Sequence, residues 1–101
     1  MATLHTVNKS PFEKSSLESC LAHAKDGSAV LLYEDGIYGA VKGTSMADKV
    51  TALGGVKFYV LGPDLKARGI SEDKLLAGVE IVDYAKFVDL AATNDKVQAW
   101  V

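Results

Sequence analysis

The chain of 101 residues has the length of one small domain, so we expect a single domain over residues 1–101 with one hydrophobic core. Its 11 basic and 13 acidic residues give a net charge of −2, and the basic residues are scattered, which argues against direct binding to nucleic acid. No stretch approaches the roughly 20 apolar residues of a membrane span, and the N-terminus lacks the pattern of a secretory leader, so we expect a cytoplasmic protein without membrane contact.

Five short apolar runs, rich in branched and aromatic residues, predict β-strands. They cover residues 4–7, 29–33, 56–61, 79–82 and 97–101. The second and third runs are almost continuously apolar, which is typical of strands that are buried on both faces of a parallel sheet. The pattern therefore favours a mostly parallel five-stranded sheet.

Helical patterns separate these runs. The first has an apolar face made by residues at i, i+3, i+4 and i+7, namely Leu17, Cys20, Leu21 and Ala24. Capping boxes that begin at Ser10 and at Ser15 leave two alternative starts, and Gly27 marks the end. Further helical segments are predicted at 38–53, broken around Gly43, and at 63–68, 71–76 and 84–91. Because strands and helices alternate throughout, the sequence predicts a layered α/β fold.

Cys20 is the only cysteine, which excludes an internal disulfide and a multi-cysteine zinc site. Its place on the apolar face of the first helix favours an inert thiol packed in the core. The alternative is a reactive thiol. If the helix begins at Ser15, Cys20 lies near the positive end of the helix dipole, and Lys14 and His23 are close enough in sequence to favour a thiolate.

Two polar runs follow predicted strands. Asn8-Lys9-Ser10-Pro11 lies where open α/β sheets bind ligands, so it is either an anion or substrate site or a capped turn. No glycine-rich nucleotide motif accompanies it, and we expect no cofactor. Glu34-Asp35-Gly36 offers two adjacent carboxylates, which favours a turn that starts a helix over an acid/base pair.

Four aromatic or imidazole side chains are further candidates. His5 has no second histidine at ligand spacing, so we expect no metal site. Tyr38 and Tyr84 either line a crevice or belong to the core or an interface. Trp100 lies almost at the end of the chain, where an apolar group implies docking, either on the chain's own sheet or on a partner.

Six short motifs occur in order along nearly the whole chain. They are Leu4-His5-Thr6-Val7-Asn8-Lys9-Ser10-Pro11-Phe12, Leu17-Glu18-Ser19-Cys20-Leu21, Glu34-Asp35-Gly36-Ile37-Tyr38, Asp64-Leu65-Lys66-Ala67-Arg68-Gly69, Val82-Asp83-Tyr84 and Gln98-Ala99-Trp100. Together they resemble the DsrH/TusB family of sulfur-relay subunits. The opening motif is the most specific of the six.

The resemblance implies a DsrE-like, flavodoxin-like sandwich and a heterohexamer with DsrE/TusD-like and DsrF/TusC-like subunits. Such a complex passes persulfide sulfur to a small acceptor protein of the DsrC/TusE type, with little sulfurtransferase activity expected from this chain alone. A hydrophobic content of 49% agrees with burial against other subunits. Fold analogy alone allows a free-standing flavin or nucleotide binder.

The resemblance makes Cys20 a candidate persulfide carrier. DsrH-like members have a cysteine at this place and many TusB-like members do not, which favours sulfur oxidation over the alternative, 2-thiolation of the tRNA wobble uridine. The main sulfur-carrying cysteine is expected on the DsrE/TusD-like partner, because the matching region here, Leu61-Gly62-Pro63, has none. A purely structural subunit is the other alternative. Lys86 replaces a frequent glycine of the family, which puts local helix packing in doubt.

Overall fold

A parallel β-sheet forms the middle layer of the protein. The computed structural model describes residues 3–10, 16–43 and 47–100. Within these ranges, five strands pair in the order β4-β3-β2-β1-β5, and every neighbouring pair is parallel. The strands are β1 (Thr3–Val7), β2 (Ala29–Leu32), β3 (Lys57–Leu61), β4 (Glu80–Val82) and β5 (Lys96–Trp100). The predicted α/β class and the parallel sheet are confirmed.

Four α-helices and two short 3₁₀ helices are described around the sheet. The α-helices are α1 (Ser16–His23), α2 (Ala47–Thr51), α3 (Gly62–Ala67) and α4 (Tyr84–Thr93), and the 3₁₀ helices are Glu34–Ala40 and Glu72–Lys74. The Asp83 carboxylate caps α4 by accepting a hydrogen bond of 2.9 Å from the Lys86 backbone N–H. Lys86 itself is exposed in an intact helix, so the departure from glycine does not interrupt α4.

The segment between β2 and β3 differs from its prediction. We expected a broken helix over 38–53, but a 3₁₀ helix already begins at Glu34 and ends at Ala40, where Val41 makes an antiparallel bridge to Leu75. The sequence Glu34-Asp35-Gly36 does start this helix, as expected. Met46 lies outside the described residues, and α2 is only five residues long. Tyr38 and the apolar residues after it thus belong to separate short elements.

The two faces of the sheet are covered by different numbers of helices. Alternate side chains of the central strands, such as Val30 and Leu32, face α1, the Glu34–Ala40 helix, α2 and α3 in the larger core cluster. The opposite face contributes Leu4 and Leu31 to a smaller cluster against α4. Among the described helices, none is long and apolar enough to cross a membrane.

Candidate functional site

Cys20 packs in the larger core cluster. The α1 residues Leu17, Cys20 and Leu21 all face the sheet, as the apolar pattern predicts, and Cys20 is 0% exposed. Removal of the thiol from water disfavours its charged form, so burial raises the pKa of Cys20 to about 12. In this conformation the sulfur lacks the access and the thiolate character that persulfide exchange needs. Transport of sulfur by Cys20 stays a prediction.

The groups expected to activate Cys20 are placed elsewhere or not described. Lys14 and Ser15 lie outside the described residues, so both alternative starts of α1 stay predictions. His23 donates a hydrogen bond of 2.8 Å from Nδ1 to the Ser19 carbonyl oxygen, one turn earlier in α1. Its ring lies against the Trp100 ring, with 5.6 Å between the centroids. His23 is thus committed to its helix and to Trp100.

The Cys20 thiol should react slowly with a soluble disulfide reagent. In the native protein at pH 8, we expect labelling by Ellman's reagent at less than about 1% of the rate in 6 M urea, because a buried thiol with a raised pKa is protonated and shielded. Absorbance of the released thiolate measures both rates. Equal rates in native and unfolded protein would contradict the packing of Cys20.

The loops after β2 and β3 are joined at the carboxyl edge of the sheet. The Asp64 carboxylate accepts a hydrogen bond of 2.7 Å from the Glu34 backbone N–H. Arg68 donates from Nε and Nη2 to Asp35 Oδ1 at 3.1 and 2.9 Å. Because the Asp35 carboxylate is paired with Arg68, the carboxylates of Glu34 and Asp35 do not share one proton as an acid/base pair. The Arg68–Asp35 and Asp64–Glu34 contacts were missed, since they join residues about 30 positions apart.

The polar run after β1 is only partly described, since Pro11 lies outside the described residues. Lys9 is exposed, whereas the Asn8 Oδ1 atom is buried without a hydrogen-bond partner among the described residues. An unpaired acceptor attracts hydrogen-bond donors and repels anions. The anion or substrate site and the capped turn considered for this run both stay predictions. Region Leu61-Gly62-Pro63 ends β3 and begins α3.

His5 and Trp100 form a contact that sequence reasoning missed. The Trp100 indole Nε1–H donates a hydrogen bond of 3.0 Å to His5 Nδ1, because β5 lies directly beside β1. This contact docks Trp100 on its own sheet, as the first of the two alternatives for that residue predicted. His5 is only 5% exposed, and burial, together with the positive charge that His23 can carry, lowers the pKa of His5. A neutral His5 is what the hydrogen bond requires, since an indole N–H can only donate.

The remaining candidates stay apart from this contact. Tyr38 is half-buried in the 3₁₀ helix, and Tyr84 is 58% exposed at the start of α4. Across the described ranges, histidine, cysteine and acidic side chains form no group of three that could hold a metal ion. The signal that could have linked His5 with Trp100 is their presence in the first and the last of the six motifs.

Comparison with known proteins identifies the family. The family described as "DsrH like protein" matches residues 9–97. The chain is 34% identical over 97 residues to Protein TusB of Pectobacterium parmentieri. This alignment covers 96% of this chain and 99% of the relative. The chain is 30% identical over 97 residues to Protein TusB of Escherichia coli strain K12 / DH10B, with the same coverage of 96% and 99%.

Solved structures share the fold. The ychN protein from E. coli superposes with a TM-score of 0.84 at 20% identity, over 99% of this chain and 100% of that chain. Protein MTH1491 from Methanobacterium thermoautotrophicum, whose function is described as unknown, has a TM-score of 0.75 at 18% identity, over 96% and 97% of the two chains. At 20% and 18% identity, these likenesses show the fold alone. The family is shown by the match over residues 9–97 and by the TusB relatives at 34% and 30% identity. The chain therefore belongs to the DsrH/TusB family.

Proposed function

We propose that this chain is a structural subunit of a cytoplasmic sulfur-relay complex. It assembles with DsrE/TusD-like and DsrF/TusC-like subunits and helps to form the surface on which a small sulfur acceptor docks, while a partner's cysteine carries the persulfide. The observation that carries the structural role is the burial of Cys20, whose thiol is 0% exposed with a pKa raised to about 12. Family membership supports the sulfur relay itself.

The relay that this subunit serves is 2-thiolation of the tRNA wobble uridine. Relatives at 34% and 30% identity are both named Protein TusB, which supports that pathway. Sulfur oxidation was favoured by the presence of Cys20 in the first helix. Because Cys20 packs like an ordinary apolar core residue, its presence carries less weight for a chemical role in either pathway.

Exposed apolar side chains on the α4 side of the sheet support assembly with partners. Tyr84 and Val88 of α4 are 58% and 69% exposed, and Val97 of β5 is 52% exposed. Val97 pairs in register with Leu4, whose side chain belongs to the cluster under α4, so Val97 faces the same side. We propose that this side of the sheet contacts a partner subunit, since apolar groups exposed together are typical of interfaces.

Genetic complementation tests the proposed function. Deletion of the gene should lower the 2-thiouridine content of tRNA, measured by mass spectrometry of digested nucleosides. Wild-type chain and Cys20→Ala should both restore the modification to within about twofold, because a core Cys→Ala change removes little volume. Size-exclusion chromatography of the purified complex confirms that each variant assembles.

Two outcomes would overturn parts of this proposal. If Cys20→Ala assembles normally but restores no 2-thiouridine, Cys20 carries sulfur, and mass spectrometry should then detect an added sulfur on the wild-type chain alone. If deletion leaves 2-thiouridine unchanged and abolishes sulfur oxidation, the sulfur-oxidation branch is correct. Either result separates the role of the thiol from the pathway.

A further inference from the structure

A cavity of about 440 Å³ opens beside the edge strand β5, and its walls carry lysine and histidine side chains. His5 lines it from β1, His23 and Lys25 from the end of α1 and the loop that follows, and Lys96 from β5. In the part of the chain that the structure describes, no carboxylate lines this cavity. Two lysines and two imidazoles, of which that of His5 is neutral, thus share one concave surface in a protein whose net charge is −2.

The hydrogen bonds of the two histidines leave one nitrogen of each ring available. Trp100 occupies His5 Nδ1, so in the neutral imidazole the proton is on Nε2, which has no hydrogen-bond partner among the described residues. His23 Nδ1 donates to the Ser19 carbonyl oxygen, so Nε2 of His23 is also available to a ligand. His5 is 5% exposed and lines the cavity, so its imidazole ring offers a neutral N–H donor at the wall of this space.

Neutral polar groups complete the lining. The buried residue Ser28 lines the cavity just before β2, and Gln98 lies between Lys96 and Trp100 on the face of β5 that also carries these two side chains. Hydrogen-bond donors and positive charge therefore converge on one volume. Oxyanions are the ligand class that such a combination recognises, because each oxygen accepts from neutral or charged donors.

We propose that this cavity binds a small divalent oxyanion, of the sulfate or phosphate type, between the end of α1 and the edge strand β5. The buried His5 supplies a neutral donor, and the exposed Lys25 and Lys96 neutralise the charge of the anion. A polyanion such as RNA fits less well, because the basic groups occupy one cavity and the chain as a whole is acidic. The inference does not depend on the proposed sulfur relay.

Trp100 provides a direct readout, since it is the only tryptophan and it lines the cavity. Titration of the full chain with sodium sulfate or sodium phosphate at pH 6 should give a saturable change in tryptophan fluorescence. Sodium chloride at matched ionic strength should not. In the double variant Lys25→Gln/Lys96→Gln the dissociation constant should rise by about tenfold, as expected for the loss of two exposed charge interactions.

Lys66→Gln is the matched control, because Lys66 is exposed on α3 and is absent from this cavity. Its dissociation constant should equal that of the wild type. The two histidines of the chain give a second measurement, since their Cε1–H signals in carbon-proton NMR spectra should both shift on addition of sulfate. The proposal is wrong if chloride causes the same change as sulfate, or if the double variant titrates like the wild type.

Discussion

Replacement of Gly36 by alanine should lower the free energy of unfolding by about 3 kcal/mol. Gly36 lies in the 3₁₀ helix Glu34–Ala40, where a Cβ atom would collide with the backbone carbonyl of Val7 at the end of β1. That carbonyl oxygen accepts a hydrogen bond of 3.1 Å from the Tyr33 N–H, so it is not free to turn away. The helix would have to lift off the sheet, which would take the buried side chain of Ile37 with it.

Urea unfolding followed by far-ultraviolet circular dichroism measures this loss. Gly54→Ala is the matched control, because an added Cβ at Gly54 meets no atom within 4 Å and its backbone is not left-handed. We expect Gly54→Ala to change the free energy of unfolding by no more than about 0.5 kcal/mol. Equal losses for the two variants would show that contact with Val7 does not decide the effect.

The sheet was predictable because strands that are buried on both faces have nearly continuous apolar sequences. All four residues of β2 are buried, and the sequence there, Ala-Val-Leu-Leu, is apolar without interruption. The alternation of strands with helices then favoured parallel pairing. The order of the strands, with β5 beside β1 at one edge, did not follow from these local patterns, since it depends on contacts between distant segments.

The Glu34–Ala40 segment shows why local periodicity was insufficient. Its close approach to the sheet and to α1 depends on two glycines without side chains, Gly36 against Val7 and Gly39 against the Leu17 side chain. The apolar spacing that began at Tyr38 suggested an α-helix starting later in the chain. A tight 3₁₀ helix fixed by such contacts has no comparable periodic signal.

The candidate site was predictable in its parts and not in its arrangement. The apolar face of α1 correctly predicted that Cys20 is buried, while the family resemblance suggested a reactive thiol, which stays a prediction. His5 and Trp100 were each recognised as unusual. Their hydrogen bond joins residues 95 positions apart, and only the pairing of β5 with β1 brings them together.

Replacement of Trp100 by alanine should lower the free energy of unfolding by about 2 to 3 kcal/mol, less than for a fully buried tryptophan because its ring is only partly buried. The other four residues of β5 are exposed, so the strand depends on its ladder with β1 and on this one side chain. The change removes the donor to His5 and the ring contacts with His5 and His23. Hydrogen exchange should therefore increase more for the amides of β5 than for those of β2.

Two further variants divide this effect. Trp100→Phe keeps most of the apolar area but leaves the buried Nδ1 of His5 without its donor, so it should cost about 1 kcal/mol. Val97→Ala changes a side chain of the same strand that is 52% exposed, and should cost no more than about 0.5 kcal/mol. If Val97→Ala destabilised the protein as much as Trp100→Ala, truncation of any side chain of β5 would have that effect, and the indole would have no special role. We expect the loss of unfolding free energy to be smallest for Val97→Ala, larger for Trp100→Phe and largest for Trp100→Ala. That order would show that the indole attaches the edge strand to β1 through both its buried apolar area and its N–H group.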